Sequence, residues 1–496
     1  MSFLGLDVGT SGCKAVVFNV EGRQLARAYR EYPVKHSHDG WAELDAEQVS
    51  RECFAVIAEA VAASSADSVI AMAVSSQGEA FVPVDAAGRI LAPAMVSSDT
   101  RAAAISCQWP ETFGRERLYR ITGQTPHPMY TLFKMLWTRE HRPDIWRTAA
   151  KFLCFEDLIH SRLGVPPHIG WPLAGRTMTF DVSSHRWSLE ILAAIDLDPQ
   201  KLATPLPSGA VVGTIPHHVA ASLGLGDKVV VVTGGHDQMC SALGAGIAEP
   251  GEAMYATGTV ECLAPVFEQP VFSPDLMVGN LCTYDACLPN MYGTIAFCLT
   301  GGNLLQWYRD QFATLERAEA ERRGCSPYEV ILDQMPDEPT SLLVLPYFTP
   351  SGTPHFDLHT PGAIYGLRLA TSRAEILRGL LEGVAYEMRA NTDLLARAGV
   401  AIHQFRATGG GARNDRWNQL KADVLGVPLT TVPTTEAGCC GAAMLAAAAR
   451  LQTPVRDLAR QWITTGRVFE PNPLRHAHYT EQFERYQRLY QVLRSV

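Results

Sequence analysis

The chain has 496 residues, an apolar fraction of 47% and a formal charge of −9, enough for two or three domains with sizeable cores. Lys and Arg are scattered singly, without the basic stripe of a nucleic-acid binder, and no apolar run reaches membrane-spanning length. The twelve cysteines follow no CxxC or Cys/His zinc spacing, and the start MSFLGLDVG lacks the basic region and apolar core of a signal peptide. A soluble, cytoplasmic protein that binds neither nucleic acid nor membrane is the expectation.

Residues 3–6 and 14–20 read as two strands joined by the polar, glycine-rich loop 7–12. Residues 24–31 read as a third strand after a turn at Glu21-Gly22. Asp45, with Gln48 three residues on, resembles a capping box that opens an amphipathic helix to about Ala63. A strand over 69–74 runs into the polar group 75–79, residues 81–84 resume strand, and 95–101 end another in MVSSDTR. From Ala102 to about Arg162 the chain reads mostly as helix, and on to Pro216 as loop-rich.

Residues 229–246, VVVVTGGHDQMCSALGAG, organise the rest. Four valines predict a buried parallel strand, and Asp237 follows just past its carboxyl end, where open α/β sheets bind ligands. That makes Asp237 a candidate catalytic base, against the alternative of a helix cap. Past Gly246 the pattern restarts. Residues 254–267 lie over 4–18 with Gly258-Thr259 on Gly9-Thr10, Cys262 on Cys13 and Phe267 on Phe18. Two domains on a related plan follow, 1–246 and 247–496. Ser372 with Glu375 predicts a long capped helix to about Ala398, 405–414 (FRATGGGARN) a strand ending in glycines, and 415–425, 436–450 and 479–496 further helices.

Three glycine-rich loops follow strands, at 7–12, 257–259 and 409–411. Glycine lets backbone N–H groups approach phosphate oxygens, and Thr or Ser hydroxyls add donors. None is a Walker A or a full Rossmann fingerprint. Together they point to a nucleotide phosphate held between two domains. Asp7, at the mouth of the first loop, suits a Mg²⁺ ion or its water shell.

LGLDVGTSGCKAVVF, GGHDQMCSALGAG, ATGTVECL, GGNLLQW and ATGGGARNDRWNQLKADVLGVPL, in this order, resemble the FGGY family of carbohydrate kinases. The resemblance implies an α/β, duplicated actin-like/hexokinase-like (ribonuclease H-like) ATPase fold of two domains around a central cleft. It implies ATP held by Gly9, Thr10, Ser11, Lys14, Gly258, Thr259, Gly302, Gln306, Gly410, Gly411 and Asn414. Asp7 matches the Asp associated with Mg²⁺ and the transferring phosphoryl group, and Asp237 the catalytic base. Sugar is expected deep on the first domain and ATP mainly on the second. A homodimer is a reasonable expectation from the same resemblance.

Substrate identity should lie in residues 75–85, SSQGEAFVPVD. Gln77 agrees with both the SGQMHG segment of xylulokinases and the NQRET segment of glycerol kinases, whereas Gly78-Glu79 departs from both. Glu79 is suited to accept hydrogen bonds from two hydroxyls, and Gly78 is expected to enlarge the pocket. Asp99, in a strand-end D-x-R, is expected to contact sugar, and His236 and Gln238 to line the pocket beside Asp237. Residues 40–43 (GWAE) and 409–413 (GGGAR) lean towards xylulokinases, while YFTPSGTP has Ser351-Gly352 where relatives carry Glu-Arg. The His355/Asp357/His359 group lies in a Pro/Gly-rich loop and is not expected to hold a metal. The reading is an ATP- and Mg²⁺-dependent kinase for a ketopentose such as xylulose. Its rivals are a kinase for glycerol or another polyol, and an actin-like ATPase without a small-molecule acceptor.

Overall fold

Two sheets built on one plan carry the molecule, in a computed structural model that describes residues 1–64, 67–357, 359–434 and 436–494. In the first sheet, β1 (Ser2–Val8), β2 (Gly12–Asn19) and β3 (Gln24–Glu31) form an antiparallel meander. Helix α1 (Ala46–Ala63) follows, capped by Asp45, which accepts the Gln48 N–H at 3.2 Å. Strand β4 (Val69–Ser76) then lies parallel to β1, as a strand–helix–strand crossover requires. Farther on, β5 (Val211–Thr214) pairs antiparallel with β6 (Val230–His236), and β6 lies parallel to β4. Helix α5 (Asp237–Gly244) leaves the end of β6.

Between β4 and β5 the chain adds a lobe with its own small core around Phe133, Leu136 and Trp146. Its elements include α2 (Thr131–His141), α3 (Phe155–Arg162) and α4 (Trp171–Gly175). The expected helical stretch is interrupted by the short strand Lys151–Leu153, which pairs with Val82–Val84.

The second sheet repeats the first. Strands β7 (Glu252–Thr257) and β8 (Glu261–Phe267) pair antiparallel, so the aligned segments 4–18 and 254–267 fall on equivalent hairpins. The edge strands β9 (Tyr284–Asp285) and β10 (Tyr292–Gly293) extend β8, and β11 (Ala296–Cys298) also pairs with it. Helices α6 (Gly302–Phe312) and α7 (Arg373–Arg397) follow, the latter with the expected Ser372/Glu375 capping box. Strand β12 (Gln404–Thr408) then runs parallel to β7, α8 (Asp415–Leu425) crosses over, and β13 (Leu429–Thr431) runs parallel to β12. The order β2-β1-β4-β6 thus recurs as β8-β7-β12-β13.

Helix α9 (Ala437–Leu451) departs from a division at residue 246. It packs on β1 and α5 of the first domain, and Cys439 to Ala447 belong to that domain's core. Backbones meet here because the residues are small. A Cβ on Gly5 would lie 1.8 Å from the Cys439 carbonyl oxygen, and one on Gly441 1.9 Å from that of Cys240. Trp462 follows into the same core, donating its indole N–H to the Val20 carbonyl at 3.1 Å. The tail forms α10 (Pro473–Leu493), and the last two residues of the helix expected over 479–496 lie outside the described residues. Among the described residues no helix is long and apolar enough to cross a membrane.

Candidate active site

The first phosphate-type loop closes the β1–β2 hairpin, with the Gly9 N–H donating to the Gly12 carbonyl at 3.0 Å. Asp7, at the end of β1, accepts the Ser75 hydroxyl of β4 through Oδ1 at 2.7 Å. Burial pushes its carboxyl up, opposed by the Ser75 bond and Lys14 and reinforced by Glu436. Lys14 points to the same place from β2 and pairs with Glu436 at 3.0 Å, just ahead of α9. Burial works against the Lys14 charge, but Glu436 outweighs it and the pKa rises. Thr10 donates to Gln77 Oε1 at 3.0 Å and Gln77 Nε2 donates to the Gly9 carbonyl at 3.0 Å. Gln77, expected on the sugar side, therefore braces the loop with both ends of its amide. Ser11 stands exposed at the loop tip.

Asp237 opens α5 directly after β6, with 28% of its side chain exposed. Burial by the surrounding walls, with Asp7 and Glu79 adding like charge, pushes its pKa up to about 8. The Gln238 N–H and Arg176 pull the other way. His236 Nε2 lies 3.2 Å from Asp237 Oδ1, and its Nδ1 lies 3.0 Å from the Tyr284 hydroxyl on β9. Burial and Arg176 depress its pKa far below the usual value, so the ring is neutral. The ring is thus fixed by the Tyr284 hydroxyl at Nδ1 and stands with Nε2 against the Asp237 carboxyl.

Gly78 does not widen the pocket: a Cβ there would stand 2.9 Å from His236 Cδ2 and Nε2, so the imidazole occupies that space. Glu79 is buried and meets Arg176, whose Nε donates to its Oε1 at 2.6 Å. Asp99, expected to touch sugar, is fully committed elsewhere. Arg101 Nη2 and Nε reach its carboxylate at 2.6 to 3.0 Å, and the Ala42 N–H donates to it at 2.8 Å. Arg101 also pairs with Glu43 at 2.8 Å and lies 3.6 Å from the Trp41 ring centroid. The GWAE and DTR segments thus form one structural cluster around the buried Asp99.

The strand that leads into Asp237 has an anchor that sequence reasoning missed. A register shift between Val232 and Gly235 takes the Gly234 N–H out of the ladder. Glu156 of α3 accepts it at 2.7 Å and the Gly170 N–H at 2.9 Å. Burial lifts the Glu156 pKa to about 8. Nothing in its local sequence, a polar residue in a helix, marks it out.

On the second domain, Gly258, Thr259, Gly302, Gln306, Gly410, Gly411 and Asn414 line one cavity of about 510 Å³. Tyr328, Leu332 and Trp417 add apolar wall that was not anticipated. Asn414 caps α8 through the Trp417 N–H at 3.0 Å, and a buried Lys421–Glu261 pair at 2.8 Å stands under the Thr257 loop. The Ser351-Gly352 exchange also gains a reason. Ser351 Oγ accepts the Asp357 N–H at 2.7 Å, and a Cβ on Gly352 would come within 2.0 Å of the Phe297 carbonyl oxygen. His355 stacks on Tyr490 at 4.0 Å, and no cluster of three metal-binding side chains exists among the described residues.

The N-terminal domain of the FGGY family of carbohydrate kinases matches residues 2–244, and its C-terminal domain matches 253–450. The chain is 28% identical to the xylulose kinase of Bacillus subtilis, over 98% of this chain and 96% of that one. It is 29% identical to the glycerol kinase of Methylibium petroleiphilum, over 98% of each chain. The crystal structure of xylulose kinase from Rhodospirillum rubrum superposes with a TM-score of 0.90 at 25% identity, over 99% of both chains. Both family domains, in order and across nearly the whole duplicated fold, make this chain a member of the FGGY family of carbohydrate kinases, and so a phosphotransferase.

Proposed function

We propose that this kinase transfers the γ-phosphoryl group of ATP to a hydroxyl of a small open-chain sugar, a ketopentose such as xylulose, with Asp237 as general base. The observation that carries this reading is Asp237 itself, at the end of β6 beside neutral His236, with Asp7 and Glu79 both near enough to raise its pKa. A sugar hydroxyl is a poor nucleophile, and a carboxylate that takes its proton as the new bond forms contributes roughly 10²–10⁴-fold. His236, bonded to Tyr284, stands with Nε2 3.2 Å from Asp237 Oδ1 and limits how the base can turn before substrate arrives. Glu79 receives substrate hydroxyls. The 510 Å³ cavity takes the nucleotide, its glycines leaving the backbone free to approach phosphates.

Asp7 suits Mg²⁺. Its Oδ1 is held by Ser75, leaving Oδ2 for the ion or its water shell, as a hard cation held mostly by phosphates and water needs. When bound, the ion would neutralise charge on the phosphates. Lys14 adds a positive charge at the same mouth once released from Glu436. The similarity to xylulose kinases over the full length supports the ketopentose, and the similarity to a glycerol kinase keeps a polyol as the second reading. The mostly buried cysteines suit a cytoplasmic location. A coupled ADP-release screen over ketopentoses, ketohexoses and C3–C5 polyols tests the proposal. Stimulation by a ketopentose above all others supports it; ATP turnover indifferent to every sugar and polyol overturns it.

A further inference from the structure

The proposed sugar pocket contains a cation that hydroxyl activation does not require. Arg176 follows α4 and is 5% exposed. Its Nε and Nη2 both meet Glu79 Oε1, the former at 2.6 Å. Its Nη1 donates to Gln124 Oε1 at 3.1 Å and faces Cys282 Sγ at 3.7 Å. The Tyr130 and Tyr284 rings lie beside the guanidinium, at 5.1 and 5.4 Å to their centroids. All three guanidinium nitrogens therefore already have partners within the protein.

Glu79 is held as firmly from its own side. It sits in the left-handed region at φ +66°, uncommon for a residue with a side chain. Its carbonyl accepts the Thr131 hydroxyl at 2.9 Å and the buried Lys134 ammonium at 3.2 Å. With Oε1 taken by Arg176, Oε2 is left for a ligand.

We propose that Arg176 is a positioning residue that makes the pocket selective for uncharged open-chain sugars and polyols: it presents Glu79 as an acceptor for substrate hydroxyls and is itself unavailable to a substrate carboxylate. The inference rests on the kinase reading above and adds the charge class of the substrate to it. Glu79 and Arg176 cancel, His236 is neutral, and the Lys134 ammonium behind Glu79 is taken up by the Glu79 and Met95 carbonyls. A hydroxyl donates to Glu79 Oε2, whereas a sugar acid brings a second acceptor and a like charge to a site without a free cation. Selection against the wrong ligand thus comes from repulsion and an unpaired acceptor as much as from new contacts.

The test is calorimetric titration of the full chain, without nucleotide, with xylitol and with D-xylonate. The wild-type protein should bind xylitol more tightly by about tenfold or more. Glu79→Gln removes the compensating charge, so Arg176 becomes available and the preference should shift towards xylonate by a similar factor. Arg176→Lys keeps the charge but loses the fork. It should raise the KM for the neutral sugar while leaving kcat and the KM for ATP little changed. Equal binding of both ligands by the wild type, an unchanged ratio in folded Glu79→Gln, or an unchanged sugar KM in Arg176→Lys would each overturn the proposal. The wild-type titration decides even where a variant does not fold. Failure of the kinase reading is distinct: no neutral sugar would then stimulate ADP release at all.

Discussion

Asp237, the proposed base, shows how surroundings set the acidity of one side chain. Its pKa of about 8 arises from burial first and from Asp7 and Glu79 second. Only the deprotonated carboxylate accepts a proton, so kcat/KM should rise with pH through about 8, measured on the free enzyme over a pH series. Asp237→Asn should lower kcat by about 10²–10⁴-fold with ATP binding nearly intact, as followed by single-turnover assay and nucleotide titration. Glu156 makes a second prediction at this scale. Its folded-state pKa, about 8, lies above its ordinary value of 4.5, so its contribution to stability is complete below 4.5. That contribution is lost as pH rises through about 8, where a buried charge must form. The thermal midpoint should fall over this window, and Glu156→Gln should flatten the fall in a melting series. Asp237 was legible from its position after four valines, whereas Glu156 was not, since its partners are backbone groups of Gly170 and Gly234 that only folding brings near.

Helix α9 shows the same division among elements. Its composition, EAGCCGAAMLAAAAR, announced close packing, but composition alone names no partner. The partners are β1 at the other end of the chain, where Gly5 lets the backbones touch, and α5, where Gly441 does. Gly441→Ala should destabilise the fold by about 1–3 kcal/mol, because the added methyl would meet the Cys240 carbonyl and the whole helix must shift. Chemical denaturation measures that cost directly. The same shift would disturb Glu436, which precedes α9 and pairs with Lys14, so the KM for ATP should rise as well.

For the whole molecule, the first domain's core closes only with residues from beyond residue 430, among them Val432, Met444 and Trp462. A fragment comprising residues 1–246 should therefore not fold on its own, judged by circular dichroism and proteolysis against the full chain. The helix that completes the first core also begins beside Asp7: a Cβ on Gly438 would lie 3.1 Å from the Asp7 carboxyl group. Relative movement of the two sheets would accordingly be felt at the phosphate loop, which suits an enzyme that must exclude water before transfer.

The sequence by itself determined the duplicated hairpins, the glycine loops, the capped helices and the position of the candidate base. These depend on local periodicity, turn chemistry and caps, which act over a few residues. It also determined the kinase family, through motifs kept in order along the chain. Tertiary structure alone decided which charges meet. Arg176 against Glu79, Glu436 against Lys14, and Arg101 against Asp99 join residues far apart in the chain or differently oriented than their spacing suggests. Charge pairing depends on distance in space and on burial, and neither is written in any one stretch of residues.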